Sequence, residues 1–280
     1  LAHLLYGINQ GGGFVALTGE VGTGKTTLCH CLLQQLPDNI EIALVFNPKL
    51  TAVELLATIC DELQIAYDKN RQTLKSLIDA LNQFLLTAHS AGKRIVLLID
   101  EAQNLSLNVL EQIRLLTNLE TSTTKLLQII LVGQPELKLI LAKPELRQLN
   151  QRITARYHLD PLSLLETQHY IQHRLSVCGG SKNLFPRKTI KIVFKLSNGI
   201  PRLINIICDR ALLGAYVAEK PVISPKLITK AANEVLIKPV SPSSPYKKVF
   251  IASTVIAVTA AFIVYLLQIQ PVKHHSILKG

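Results

Sequence analysis

The residues from 19 to 26 have the composition and spacing of a loop that holds a phosphate chain. They read Gly-Glu-Val-Gly-Thr-Gly-Lys-Thr, between an apolar stretch at Phe14–Thr18 and an amphipathic stretch. Glycines let successive backbone N–H groups point at phosphate oxygens, and the positive end of the following helix dipole adds to the attraction. Lys25 would reach the β- and γ-phosphates, and the Thr26 hydroxyl would bind Mg²⁺. The spacing predicts an ATP and Mg²⁺ site formed by Gly19, Glu20, Val21, Gly22, Thr23, Gly24, Lys25, Thr26 and Thr27.

Two carboxylates follow another apolar stretch. Asp100 and Glu101 come directly after Ile95–Ile99, and ligands bind where parallel strands end in an open α/β sheet. Asp100 is expected to hold Mg²⁺ directly or through water, and Glu101 to polarise the attacking water, because phosphoryl transfer needs an in-line nucleophile and little covalent help. The pattern therefore predicts hydrolysis of ATP.

Two further polar side chains could complete such a site. Gln134 follows an apolar stretch ending at Val132, so its amide could bond the γ-phosphate or the water, or it could be an ordinary turn residue. Arg202 follows Pro201, and proline favours the first position of a helix. From there Arg202 could reach the γ-phosphate.

Arginines lie just before and within the stretch Ile153–Leu159. Arg147, Arg152 and Arg156 could be solvated charges. One of them could instead be an arginine finger, which enters a neighbouring subunit's site and stabilises transition-state charge. The sequence leaves both interpretations open.

Short apolar stretches alternate with amphipathic ones as far as residue 159, a pattern typical of a parallel sheet covered by helices. We expect strands buried on both faces. The predicted strands are Phe14–Thr18, Ile42–Phe46, Ile95–Ile99, Leu126–Val132 and Ile153–Leu159. The predicted helices span 51–63, 72–89, 107–119 and 136–142. The first of these begins at a capping box, Thr51 with Glu54.

After Asp160-Pro161 the strand signals stop. Four helices are expected near 163–177, 187–197, 202–217 and 225–236, so we divide the chain into an α/β core (1–160) and a helical lid (161–236). A Pro- and Ser-rich linker (237–248) precedes 249–267, which carries no charged residue. At 1.5 Å per residue those 19 residues match a bilayer's hydrocarbon core, which predicts one transmembrane helix and a short tail (268–280).

Composition and charge narrow the class of protein. An apolar fraction of 48% excludes a mainly disordered chain, and the five cysteines form no CxxC pair, which argues against zinc and disulfides. Residues 1–160 hold 14 Lys or Arg against 15 Asp or Glu, whereas 161–280 hold 16 against 4. This basic part suits nucleic acid or an anionic bilayer surface. The sequence starts at Leu1 and contains no Met, so we expect either a piece of a longer chain or an unusual start.

In combination, these motifs resemble AAA+ ATPases, and more narrowly the general-secretion-pathway protein A family. The resemblance implies a P-loop core of five parallel strands, a helical lid, Gln134 as first sensor, Arg202 as second sensor, and Arg152 or Arg156 as finger. It is carried by the phosphate loop, Ile99-Asp100-Glu101-Ala102-Gln103, Val132-Gly133-Gln134-Pro135-Glu136-Leu137, Gln151-Arg152-Ile153 and Gly199-Ile200-Pro201-Arg202.

The resemblance implies an ATPase that drives assembly of a secretion or type IV pilus complex with a membrane-embedded partner. An arginine finger further implies a homo-oligomer. Lys238, Lys247 and Lys248 precede the apolar segment, which favours a single-pass inner-membrane protein with its ATPase domain in the cytoplasm. Two alternatives stay open: a DNA-transaction ATPase of the transposition type, which the apolar segment disfavours, and a nucleotide-binding scaffold without turnover.

Overall fold

The structure is a computed structural model that describes residues 13–46, 49–121 and 124–236. Within those ranges, no helix combines the length and the apolar character needed to cross a membrane. The predicted linker, the predicted transmembrane helix at 249–267 and the short tail lie outside the described residues. The described residues up to Val235 belong to one compact unit, so the division at 160/161 stays a prediction.

Five strands form one sheet, and every neighbouring pair is parallel. Their order across the sheet is β2-β3-β4-β1-β5, so β1 lies between β4 and β5. The strands are β1 (Gly13–Gly19), β2 (Ile40–Val45), β3 (Arg94–Ile99), β4 (Leu127–Gly133) and β5 (Ile153–Leu159). Since parallel strands end at the same edge, the polar residues after β1, β3 and β4 are brought together. The predicted α/β class is confirmed.

Helices connect the strands and cover both faces of the sheet. The capping box of Thr51 and Glu54 is present, and Thr73 with Ser76 forms a second one that the sequence reasoning missed. These helices are α1 (Lys25–Leu33), α2 (Ala52–Glu62), α3 (Leu74–Ser90), α4 (Leu107–Leu116), α5 (Glu136–Leu141) and α6 (Arg147–Arg152). The short helix α6 was not predicted either.

Alternate residues of the central strands divide the core into two layers. On β3, Leu97 packs into the larger cluster with α2, α3 and α4, whereas Val96 and Leu98 pack into the smaller cluster with α1. This is the period-2 geometry of a strand covered on both faces. The result is a helix–sheet–helix arrangement that fixes the ends of β1, β3 and β4.

The prediction that all five strands are buried on both faces is wrong for β5. This strand pairs only with β1, and its residues Thr154, Arg156 and His158 are exposed. Its sequence alternates polar and apolar residues, which is typical of a strand with one solvated face. The position at the sheet edge therefore accounts for the difference.

Four further helices follow β5, in the region predicted to be a lid, and we keep that name for residues 161–236. They lie close to the predicted positions, and Ser163 with Glu166 forms the capping box of the first. Tyr170 Oη donates a hydrogen bond of 3.0 Å to Asn205 Oδ1 and so joins the first helix to the third. The helices are α7 (Leu164–Val177), α8 (Arg187–Ser197), α9 (Pro201–Val217) and α10 (Pro225–Val235).

Two main-chain hydrogen bonds hold the start of α9, one from within the lid and one to the core. Leu162 N donates to Gly199 O at 2.9 Å, and Arg202 N donates to Gly22 O in the phosphate loop at 3.2 Å. Gly199 has φ +74°, and a Cβ there would lie 1.9 Å from Leu162 O. Only glycine fits this crossing of the two chain segments.

Candidate active site at the carboxyl edge of the sheet

The phosphate loop turns sharply between β1 and α1. Gly22 and Gly24 have φ +83° and +99°, which glycine adopts without the penalty of a side chain. Lys25 is the first residue of α1 and only 6% exposed. Its Nζ donates to Gly19 O at 2.8 Å and to Glu20 O at 3.0 Å. The ammonium group is thus held inside the curve of the loop, where phosphate oxygens would bind it.

Thr26 and Asp100 face each other across the sheet edge. Thr26 Oγ1 donates to Asp100 Oδ2 at 2.7 Å, and Glu101 N donates to Asp100 Oδ1 at 2.8 Å. Asp100 is buried. Carboxylate and hydroxyl oxygens are suitable Mg²⁺ ligands, and Mg²⁺ binds through few protein groups together with phosphates and water. This pair of oxygen donors fits Mg²⁺ bound together with a nucleotide.

The thiol of Cys29 lies one helical turn beyond Lys25. Burial, and to a smaller extent the charge of Asp100, raise the pKa of Cys29 to about 12 against the opposing effect of Lys25. This thiol therefore stays protonated at physiological pH and is not a nucleophile.

Glu101 follows β3 in a left-handed conformation, with φ 53° and ψ 36°. Such a conformation costs a non-glycine residue of the order of 1–3 kcal/mol, and it recurs at functional sites. Two amides hold its carboxylate: Gln103 Nε2 donates to Oε2 at 2.5 Å, and Gln134 Nε2 donates to the same oxygen at 3.1 Å. The structure therefore brings Glu101 and Gln134 together.

Gln103 is the site residue that the sequence reasoning missed. Its Oε1 accepts a hydrogen bond of 3.0 Å from Gln134 N while its amide nitrogen donates to Glu101. The only signal was its place in the stretch Ile99-Asp100-Glu101-Ala102-Gln103, which carried the resemblance but assigned Gln103 no role.

Arg202 is exposed on the first turn of α9, beside the phosphate loop. A Cβ at Gly22 would lie 2.7 Å from Arg202 Cβ, so this glycine also allows the lid to approach the loop. The predicted contact of Arg202 with a γ-phosphate stays a prediction.

The two finger candidates have different surroundings. Arg152 Nη1 donates to Arg114 O at 3.0 Å and to Thr117 Oγ1, at the carboxyl end of α4. Arg156 is exposed on the edge strand, and its Nη2 donates to Asn150 O at 2.8 Å and Asn150 Oδ1 at 2.6 Å. Arg152 therefore has an internal role, and Arg156 is the more accessible of the two.

Comparison with known proteins agrees with this geometry. Residues 8–141 match the AAA domain family model. The fold is similar to Cdc6p from Pyrobaculum aerophilum, with a TM-score of 0.65, 18% identity and coverage of 82% of this chain and 63% of that one. It is also similar to a chain of the Drosophila ORC bound to DNA, with a TM-score of 0.60, 22% identity and coverage of 84% and 60%. The fold is that of an AAA-type P-loop protein.

A closer likeness defines the family. Over 235 residues the chain is 57% identical to General secretion pathway protein A of Aeromonas hydrophila. The chain belongs to the general secretion pathway protein A family. The match covers 84% of this chain and 43% of that relative, so the chain spans less than half of the relative's length.

Proposed function

We propose that this chain binds ATP with Mg²⁺ and hydrolyses it to ADP and phosphate. One observation carries the proposal: Lys25, the pair Thr26 and Asp100, and Glu101 meet at one edge of the sheet. Each has the chemistry that one part of the reaction needs.

Lys25 would exchange its two carbonyl partners for phosphate oxygens, which are stronger acceptors because they are charged. Thr26 and Asp100 would hold Mg²⁺, which neutralises developing charge on the phosphates when bound. Glu101 would take the proton of the attacking water as the water oxygen bonds to the γ-phosphorus. The bond from that phosphorus to the β–γ bridging oxygen then breaks, which leaves ADP and phosphate.

A pair of variants tests binding and turnover separately. Lys25→Ala is expected to weaken Mg·ATP binding by about 10- to 100-fold in a titration, since a hydrogen bond to a charged group contributes about 1.5–3 kcal/mol. Glu101→Gln is expected to keep nucleotide binding and to lower phosphate release by about 10²- to 10⁴-fold.

The control is Lys75→Ala, because Lys75 is an exposed lysine on α3 far along the chain from the loop. It should bind and hydrolyse ATP as the wild type does. Binding without turnover in both the wild type and Glu101→Gln would favour the scaffold alternative. Equal binding by Lys25→Ala and the wild type would contradict the nucleotide site itself.

The cellular role rests on the family and on the sequence beyond the described residues. We infer a single-pass inner-membrane ATPase with a cytoplasmic ATPase domain, acting in assembly of a secretion or type IV pilus complex. The full-length chain should stay in the membrane fraction after extraction with alkaline carbonate. Deletion of residues 249–267 should release it into the supernatant. The predicted homo-oligomer should appear when Glu101→Gln is sized with ATP, and monomers alone would contradict it.

The basic lid favours a second candidate, a DNA-transaction ATPase. Residues 161–236 carry 11 Lys or Arg against 4 Asp or Glu, and binding through phosphates falls steeply with salt. Duplex titrations at several salt concentrations separate the two functions. Negligible affinity at moderate salt would remove this candidate, whereas tight, salt-sensitive binding would support it.

A further inference from the structure

The side chain of Gln103 connects two parts of the site. It donates from Nε2 to Glu101 Oε2 at 2.5 Å and accepts at Oε1 from the backbone N–H of Gln134 at 3.0 Å. The loop after β4 is therefore joined to the proposed base through one amide. An amide can fill this place because it carries both a donor and an acceptor, whereas a carboxylate carries only acceptors.

The hydrogen bonds on Glu101 are not shared evenly between its oxygens. Both amides, those of Gln103 and Gln134, donate to Oε2. Among the described residues Oε1 accepts no hydrogen bond, so it is the oxygen that can take a proton from water. Holding one oxygen fixes the direction in which the other points.

The space around the Gln103 amide is narrow on the side of β4. A Cβ added to Gly133 would lie 2.7 Å from Gln103 Oε1 and 3.0 Å from Leu137 Cδ2. The backbone of Gly133 is not in the left-handed conformation. Alanine at this position would therefore make a steric contact but would carry no penalty for its backbone conformation. Because the end of a flexible side chain moves more easily than the backbone, the Gln103 amide would be displaced.

We propose that Gln103 is a positioning residue for hydrolysis: its amide ties Glu101 to the loop after β4 and so aims Glu101 Oε1 at the attacking water. This inference rests on the proposed function, because it assigns Glu101 the role of base. Gln103 acts through Glu101 and touches neither phosphate nor Mg²⁺ in this account. Loss of the amide should therefore change the turnover step and leave nucleotide binding alone.

The first test compares two substitutions of Gln103 in the full-length chain. Gln103→Ala should lower kcat by about tenfold or more, since general base catalysis contributes about 10²- to 10⁴-fold and depends on geometry. Its Mg·ATP Kd should stay within about twofold of the wild type. Gln103→Glu can still accept from Gln134 N but cannot donate to Glu101, so kcat should fall at least as far.

The Gln103→Glu variant separates positioning from simple support of the loop. Its carboxylate still accepts from Gln134 N but has no amide proton to donate to Glu101 Oε2. If Gln103→Glu kept the wild-type kcat, the proposal would be overturned, because the hydrogen bond accepted from Gln134 N would then be enough for turnover.

A double-mutant comparison gives an independent check. Gly133→Ala alone should lower kcat by displacing the amide, and it should lower it much less when Gln103 is already alanine. Independent, multiplying effects of the two substitutions would contradict the proposal. Absence of turnover in the wild type would reject the proposed function and the inference together, whereas wild-type turnover that Gln103→Ala leaves unchanged would reject the inference alone.

Discussion

Replacing Gly199 with alanine tests how the segment before α9 packs against the first residues of the lid. Gly199 is buried with φ +74°, and a Cβ would lie 1.9 Å from Leu162 O and 2.9 Å from Leu162 C. The left-handed conformation costs alanine about 1–2 kcal/mol. Forcing the backbone of Leu162 away adds about 1–3 kcal/mol, the usual range for overpacking. The expected loss in the free energy of unfolding is about 2–5 kcal/mol.

The matched control is Gly179→Ala. Gly179 follows α7 with φ +72°, and a Cβ there would meet no atom within 4 Å. It therefore carries the same conformational penalty without the steric contact. In a domain of this size, 1 kcal/mol shifts Tm by about 2–4 °C. The control should lose about 2–8 °C, and Gly199→Ala should lose about 2–12 °C more than the control.

Two-state thermal unfolding followed by circular dichroism measures both variants, and nucleotide titration adds a functional readout. Displacement of Leu162 should move the start of α9 away from the phosphate loop and weaken Mg·ATP binding in Gly199→Ala alone. Equal Tm values for the two variants would refute the reasoning, because the contact with Leu162 would then contribute nothing.

Other substitutions test contacts around the site. Gly22→Ala should separate the lid from the phosphate loop and lower the protection of the lid in amide exchange, because its Cβ has no room. Gly24 has φ +99° and would place a Cβ with no atom within 4 Å. Gly24→Ala should therefore leave the protection of the lid unchanged. Arg152→Ala should lower Tm by about 4–8 °C, since it removes about 2 kcal/mol of hydrogen bonding by a charged group. An unchanged Tm would instead indicate that Arg152 is available to act as an arginine finger. Exposed Cys178 should react with a thiol reagent at pH 8 while Cys29 stays protected. Since burial raises the pKa of Cys29 to about 12, its contribution to stability is complete below pH 9 and lost as the pH rises from 9 towards 12.

Much of the core was predictable because short apolar stretches and caps are local signals. The strand Ile153–Leu159 was found with its bounds unchanged, and the capping box at Thr51 begins a helix as predicted. The burial of β5 was not predicted correctly, because the place of a strand in the sheet depends on pairing across the whole core. The helix α6 was missed because it contains a single apolar residue, Leu149, and therefore shows no apolar periodicity.

The candidate site divides in the same way. Lys25, Thr26 and Asp100 follow from the spacing of glycines and the end of an apolar strand. The contact of Gln103 with Glu101 does not, because it depends on the left-handed backbone of Glu101 and on the approach of the loop after β4. The internal partners of Arg152 likewise come from α4, 35 residues or more away along the chain.

Both hydrogen bonds that hold the start of α9 join peptide groups, Leu162 N to Gly199 O within the lid and Arg202 N to Gly22 O in the phosphate loop. Their geometry is independent of which side chains the helices display. Outward-facing side chains of the lid can therefore be exchanged to suit a new partner without altering these two hydrogen bonds. Natural variation or protein design could therefore change the side chains of this surface as long as Gly22 and Gly199 are kept.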